Sequence, residues 1–237
     1  QDVKTFSIID QDERYNEYDN IAATVEDSNC DSTYVELNFD NTFDRLESLV
    51  KYHDAPVATI TNLIHSMLCE KIAERGYKVS FSGTSADEIF TGYYDHFLLH
   101  LASTYNSEDY EDHLNSWKKY LLPNIRNPIL RNPKLYNDNP NYRVHVYDNS
   151  EEFIEFSNKQ MNDDFSEEFF CDDLLRNRML NELFHEATPL ILHEDDLNSM
   201  MYSIENRSPY LDTNLLEFML TVPNKNLIKD RELVFYH

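Results

Sequence analysis

Residues 82–92, Ser-Gly-Thr-Ser-Ala-Asp-Glu-Ile-Phe-Thr-Gly, hold two of the three glycines in the chain, Gly83 and Gly92. The small residues Ser82 to Ala86 follow the β-rich run Tyr77 to Phe81 and precede residues that favour helix, so they predict a strand-to-helix turn. Such a turn lets a ligand approach the backbone closely. Its exposed N–H groups, next to the positive end of a helix dipole, suit an anion, and Asp87 and Glu88 on the first helical turn suit a divalent cation beside it. A nucleotide phosphate with magnesium meets both demands. Ser, Gly and Asp are also the ordinary vocabulary of turns and helix N-termini, so these residue types alone leave both readings open.

The elements that must position this turn follow from periodicity. Lys4 to Ile9 reads as a buried strand, Glu17 to Asp27 as a helix, and Tyr34 to Phe39 as a second strand. Asn41 or Thr42 then opens a helix through Leu46, Leu49 and Val50. After Pro56 a longer helix carries Ile60, Leu63, Ile64, Met67, Leu68 and Ile72 on one face and stops at Gly76. The order β-α-β-α-α-β predicts an α/β fold, a parallel sheet flanked by helices with ligands at the carboxyl ends of its strands. Ser82 falls at such an end. Beyond Tyr93 the chain reads as a mainly helical C-terminal part, with segments such as 97–104, 109–122, 166–184 and 211–221. The polar stretch from Pro123 to Asn149, with Pro128, Pro133 and Pro140, reads as a surface excursion within one domain, or alternatively as a lid.

Two blocks carry a resemblance to a known family. Lys78-Val-Ser-Phe-Ser-Gly-Thr-Ser-Ala-Asp-Glu-Ile-Phe-Thr-Gly-Tyr93 resembles K-V-x-x-S-G-[DE]-G-A-D-E-x-F-x-G-Y of the asparagine synthetase family, in its synthetase domain of the PP-loop ATPase (HUP-like) class. Asp196-Leu-Asn-Ser-Met-Met-Tyr-Ser-Ile-Glu-Asn-Arg-Ser-Pro-Tyr-Leu-Asp212 is similar to D-R-x-S-M-x-x-S-x-E-x-R-x-P-[FY]-L-D, with Leu197 in place of the family's Arg. Lys4 to Ile8 resembles the strand that frames the adenine, and His53-Asp-Ala-Pro56 the family's H-x-x-P turn. The four matches keep their order along most of the chain. They imply an asparagine synthetase-like domain over 1–237, with a nucleotide-binding α/β part to residue 93 and a mainly helical part after it.

The resemblance implies carboxylate activation. ATP would adenylate the side-chain carboxylate of aspartate with release of pyrophosphate, and ammonia from a glutaminase domain or subunit would displace AMP. A carboxylate is a poor electrophile until one oxygen becomes a good leaving group, and magnesium neutralises charge on the phosphates during that step. By resemblance Ile8, through its backbone, Ser82 and Gly83 contact ATP, and Asp87 binds magnesium. Thr84, Asp196, Ser199, Glu205 and Arg207 are the substrate-pocket candidates. For Glu205 and Arg207 a buried structural pairing is the competing reading.

Three departures from the family pattern bear on catalysis. The family's S-G-G-x-D-S pyrophosphate loop does not occur in this sequence, which is expected to begin after it. Thr84 stands where the family has an acidic residue, and Ser85 where it has glycine; a Thr hydroxyl is no carboxylate acid or base at neutral pH. The family also continues into a lysine-bearing segment near where this chain ends at His237, and Lys225 and Lys229 are not obvious replacements. These departures keep two other readings open: amidation of another carboxylate, such as a sugar acid of a surface polysaccharide, and a non-catalytic binding or scaffold domain.

Composition bounds the rest. A 237-residue chain with 41% hydrophobic residues is long and apolar enough for a real core. A net charge of −24 opposes any nucleic-acid backbone as a partner, and it means that a nucleotide site must rely on local dipoles, a few basic groups and bound cation. The acidic runs at 108–112 and 163–168 read as solvated faces, whereas His193-Glu194-Asp195-Asp196 also suits magnesium or ammonium. Neither a long apolar run nor a basic leader is present, and Cys30, Cys69 and Cys171 are widely spaced, so a cytoplasmic protein with reduced thiols and no membrane partner is expected. A homodimer is compatible with these features.

Overall fold

The computed structural model describes residues 3–12, 16–143, 154–155, 166–229 and 232–233. The chain divides into two compact units, each made from two separated segments: Gln1–Ser82 with Leu190–Pro209, and Gly83–Pro189 with Tyr210–His237. Parallel strand pairs and helices together give a mixed α/β protein.

In the first unit, β1 (Lys4–Ile9) and β2 (Asp31–Glu36) form a parallel pair with Ile8 opposite Val35, joined by helix α1 (Tyr18–Ser28). The second strand begins three residues earlier than its alternating pattern suggests. The cause is the end of α1: Asn29 adopts the left-handed conformation, and the amides of Asn29 and Cys30 bond back to Glu26 and Val25. The chain is thereby turned directly onto β1, and the Asp31 amide reaches the Val3 carbonyl.

Helices α2 (Thr42–His53) and α3 (Ile60–Glu74) pack through Leu49, Leu63 and Met67, while Cys69 and Ile72 join Ile204 and Phe6. Burial pushes the Cys69 thiol up to about 12, with the Asp195 charge adding to it, so this thiol is inert. Gly76 stops α3 as its position predicts. Its φ is 84°, its amide bonds to Ala73, and the Tyr77 amide bonds to Ile72, which is a Schellman closure available cheaply only to glycine.

Strand β3 (Val79–Phe81) then pairs in parallel with β4 (Glu205–Arg207), Ser80 lying opposite Asn206. β4 is invisible to pattern reading because Glu-Asn-Arg has neither alternation nor β-branched residues. Among the described residues the strands form three two-stranded ladders, the third an antiparallel pair of β5 (Ile228–Lys229) and β6 (Glu232–Leu233). One continuous sheet does not form among them.

The second unit is helical: α4 (Ala86–Phe90), α5 (Tyr94–Thr104), α6 (Tyr110–Tyr120), α7 (Leu135–Asp138) and α8 (Leu174–Phe184). Helix α10 (Thr213–Thr221) completes this set, whereas α9 (Ala187–Met201), with Pro189 in its first turn where the missing N–H costs nothing, belongs from Leu190 onward to the first unit. Leu98, Leu99, Trp117, Ile125, Tyr136, Leu175 and Met179 form the core of this unit.

Helix α8 begins at Leu174 and not at Ser166. The Asp173 carboxylate accepts from the Arg176 amide and fixes the start, while Asn177 Oδ1 accepts from the amides of Phe170 and Cys171 and holds the preceding segment out of the helix. Residues 123–143 are largely exposed, as a surface excursion would be, but they are tied down. Tyr136 is 1% exposed and Ile125 is as deeply buried, so these side chains anchor an otherwise largely exposed segment in the core despite its prolines. Residues 144–149 of the expected excursion, and 163–165 of the second acidic run, lie outside the described residues. Among the described residues no helix is long and apolar enough to cross a membrane.

Candidate functional site

Strand β3 ends at Phe81 and leads into Ser82, the last residue of the first unit's leading segment. Its amide donates to the Arg207 carbonyl at 2.9 Å, and its hydroxyl lies 3.3 Å from Asn206 Nδ2 and 3.4 Å from the Ser208 hydroxyl. Ile8 is half-buried near the carboxyl end of β1. Ser199 is buried on α9, where its hydroxyl donates to the Asp196 carbonyl of its own helix, and Asp196 itself is exposed. Glu205 and Arg207 do pair, Arg207 Nε donating to Glu205 Oε1 at 2.8 Å. They are not buried, however, with side chains 61% and 55% exposed, because i and i+2 of a strand share one face and this face is open.

The run His193 to Asp196 is not an open cation surface. Glu194 points inward, accepting from Asn62 Nδ2 at 2.9 Å and lying 3.6 Å from His53 Nδ1, and Asp195 lies 3.2 Å from His65 Nδ1. His53, from the H-x-x-P turn, is thus buried beside a carboxylate two residues ahead of the second sequence block.

In the second unit the turn continues through Gly83, where an added Cβ would make only ordinary contact with the Tyr210 ring, and through half-buried Thr84. Ser85 adopts the left-handed region at φ 74°. That is the position where the resembled motif has glycine, and the reason is now physical: the backbone there disfavours any Cβ. The buried Ser85 hydroxyl is satisfied by Thr188 Oγ1 at 3.0 Å.

Asp87 and Glu88 open α4 but face different surroundings. Glu88 is buried and accepts from the Tyr93 hydroxyl at 2.6 Å, so it is not free to share a cation with Asp87. Burial raises the Glu88 carboxyl above its ordinary range, and burial with the Glu88 bond does the same for the Tyr93 phenol. The half-buried Asp87 carboxylate lies against the Cα of Gly92, where an added Cβ would fall inside it. Among the described residues no donor reaches that carboxylate, and burial raises its pKa. A desolvated carboxylate lacking a donor fits a divalent cation.

Behind Asp87 is a set of charges that sequence reading missed. His96 is fully buried; its Nε2 meets Glu182 at 2.7 Å and its Nδ1 accepts from the Gly92 amide at 3.2 Å. Burial opposes an imidazolium here and the charge and hydrogen bond of Glu182, together with the Asp95 charge, outweigh it, yet the Gly92 N–H requires a bare Nδ1. The hydrogen bond therefore selects the tautomer with its proton on Nε2, toward Glu182.

Asp95, His96 and Glu182 converge as three metal ligands would. The Arg178 guanidinium already supplies the positive charge there, with Nε 2.9 Å from Glu182 and 3.5 Å from Asp95. The same guanidinium forks onto Glu186 through two contacts of 2.7 Å and reaches Glu167 at 3.0 Å, and Arg143 pairs with Glu167 from another side. None of these residues sits in a recognisable spacing; only the i,i+4 step from Arg178 to Glu182 could have suggested a pair.

A family model described as asparagine synthase matches residues 1–233, nearly the whole chain. The chain belongs to the asparagine synthase family. Membership supports, in general terms, an ATP-dependent amide-forming ligase. Comparison with curated proteins and with solved structures gave no match.

Proposed function

We propose that this domain activates a carboxylate with ATP and passes it to ammonia, with aspartate as acceptor and asparagine as product. Family membership and the desolvated carboxylate of Asp87 on the Gly92 turn support this reading. A carboxylate oxygen attacks the α-phosphorus of ATP and pyrophosphate leaves; ammonia then attacks the acyl carbon, AMP departs, and the nitrogen loses a proton. Ile8, Ser82 and Gly83 are the proposed nucleotide contacts, within a PP-loop type of nucleotide-binding arrangement, and Asp87 is the proposed magnesium carboxylate. Magnesium there would neutralise phosphate charge. Ser199, engaged with its own helix, acts through the α9 backbone in this reading, and Thr84 and Asp196 remain the side chains proposed to meet the acceptor.

The experiment is Asp87→Ala in the intact protein. Magnesium-dependent ATP binding, followed by calorimetry, should disappear while the far-ultraviolet circular dichroism spectrum stays the same. Unchanged affinity for Mg-ATP would refute the metal role.

A second reading rests on Thr84, which replaces the acidic residue of the resembled motif. It favours another acceptor, such as a sugar acid, since the groups next to the reacting carboxylate differ. Product analysis with competing carboxylates separates the two: asparagine as the sole amide excludes the second.

A further inference from the structure

Among the described residues no hydrogen-bond donor holds the Asp87 carboxylate, so its position depends on the surface it rests on. That surface is the backbone of Gly92, where even one methyl group would overlap the carboxylate. The turn that presents Gly92 is strained. Thr91, β-branched and buried, sits at φ 74° and ψ 149°, and its hydroxyl finds no hydrogen-bond partner among the described residues. Backbone of this kind persists only where neighbouring structure determines it. The neighbour is His96, one turn along, whose Nδ1 accepts the Gly92 amide while Nε2–H is held by the buried Glu182. Glu182 is fixed in turn by Arg178 from the same helix, at 2.9 Å.

We propose that His96 is the positioning residue for Asp87: the chain Glu182, His96, Gly92 amide fixes the strained turn on which the carboxylate is seated, and so sets where a divalent cation is held. This rests on the reading of Asp87 as the magnesium carboxylate. His96 does not touch the cation or the nucleotide. Its effect passes through a single backbone amide. Glu182 orients the ring so that the bare nitrogen faces Gly92, much as a carboxylate behind a metal-bound histidine fixes its tautomer.

The two ring nitrogens make separable predictions. Asn at position 96 places an acceptor near the site of Nδ1 and keeps the Gly92 bond, while Gln reaches toward Glu182 and leaves the Gly92 amide without its partner. Both lose the buried ring. A purely structural role would make them similar in magnesium affinity, whereas positioning makes them different.

The test titrates Mg2+ into the intact protein saturated with α,β-methylene-ATP, by calorimetry, with thermal melting of each variant alongside. Wild type should show magnesium-dependent binding and Asp87→Ala should lose it. Gly92→Ala and His96→Gln should each weaken magnesium about 10- to 100-fold, the range seen when the support of a metal ligand is removed. His96→Asn should stay within a few-fold of wild type, although its melting temperature falls about as far as that of His96→Gln. If Asp87→Ala is without effect, or wild type shows no magnesium-dependent binding, the metal reading itself fails and the inference falls with it. If Asp87→Ala loses the cation but Gly92→Ala and His96→Gln keep it, or if the two His96 variants lose it equally, the positioning role alone is overturned.

Discussion

Replacing Arg178 with Met keeps most of the stem volume and deletes the charge at the centre of the buried cluster. Arg178 is 5% exposed and contacts four carboxylates, those of Asp95, Glu167, Glu182 and Glu186. Its own pKa is driven further up: burial opposes the charge, but Glu182 and the other carboxylates outweigh it. Removing one partner of a buried ion pair costs about 3–5 kcal/mol, because the remaining charge stays desolvated. For a chain of this size that corresponds to a melting point lower by ~6–20 °C, at roughly 2–4 °C per kcal/mol.

The pH dependence is the stronger test. Glu167 is partly desolvated, which raises its carboxyl, but Arg143 and then Arg178 prevail and hold it below the ordinary range. Its stabilisation is therefore present above the ordinary carboxylate range and is lost as pH falls through its depressed value. Glu186 stands above that range through burial even with the guanidinium present, and would rise further without it. A raised carboxylate favours the fold below its unfolded pKa and loses that contribution as pH rises. Arg178→Met should thus lie furthest below wild type near neutral pH, and the gap should narrow as pH falls toward ~4.5, close to the reference pKa of a glutamate. Melting followed by circular dichroism at several pH values reads this directly. A loss under about 1 kcal/mol, or one independent of pH, would show that the cluster is not held by the guanidinium charge.

Two further substitutions probe the elements around the site. Glu88→Gln keeps an acceptor for the Tyr93 hydroxyl while removing a carboxylate that burial raises, so it should increase the melting temperature at neutral pH. The gain should vanish below the ordinary carboxylate range, where Glu88 is itself protonated; a gain that persists there would contradict the assignment. Asp212→Ala removes the carboxylate that accepts from the amides of Asn214 and Leu215 at the start of α10, and should cost about 1 kcal/mol in urea unfolding, with Asp212→Asn recovering most of it.

Where short-range physics decides structure, the sequence was informative. Gly76 announced the end of α3, and Lys4 to Ile9 announced β1, because a left-handed stop and a short β-prone run are local facts, although β1 is half-buried and not buried as expected. Ser82 to Ala86 announced the turn for the same reason. β4 was illegible because its pairing with β3 is decided by a partner 126 residues away. The buried cluster was illegible for a related reason. Arg178, Glu182, Glu186 and Asp95 resemble the charges of a solvated helix in a chain of net charge −24, and only packing shows that they face inward. The site residues divide the same way: Asp87 stands out by motif, while His96 becomes visible only through the amide it accepts.

The parallel pairing of β3 with β4 also sets a timetable for synthesis. β3 leaves the ribosome long before the strand it needs, and at ordinary elongation rates the 126-residue separation corresponds to a wait of ~6–25 s. During that time both edges of β3 lack the ladder that later engages one of them, and Val79 and Phe81 remain exposed even in the finished fold. The nascent chain therefore carries this strand unpaired until β4 has been made.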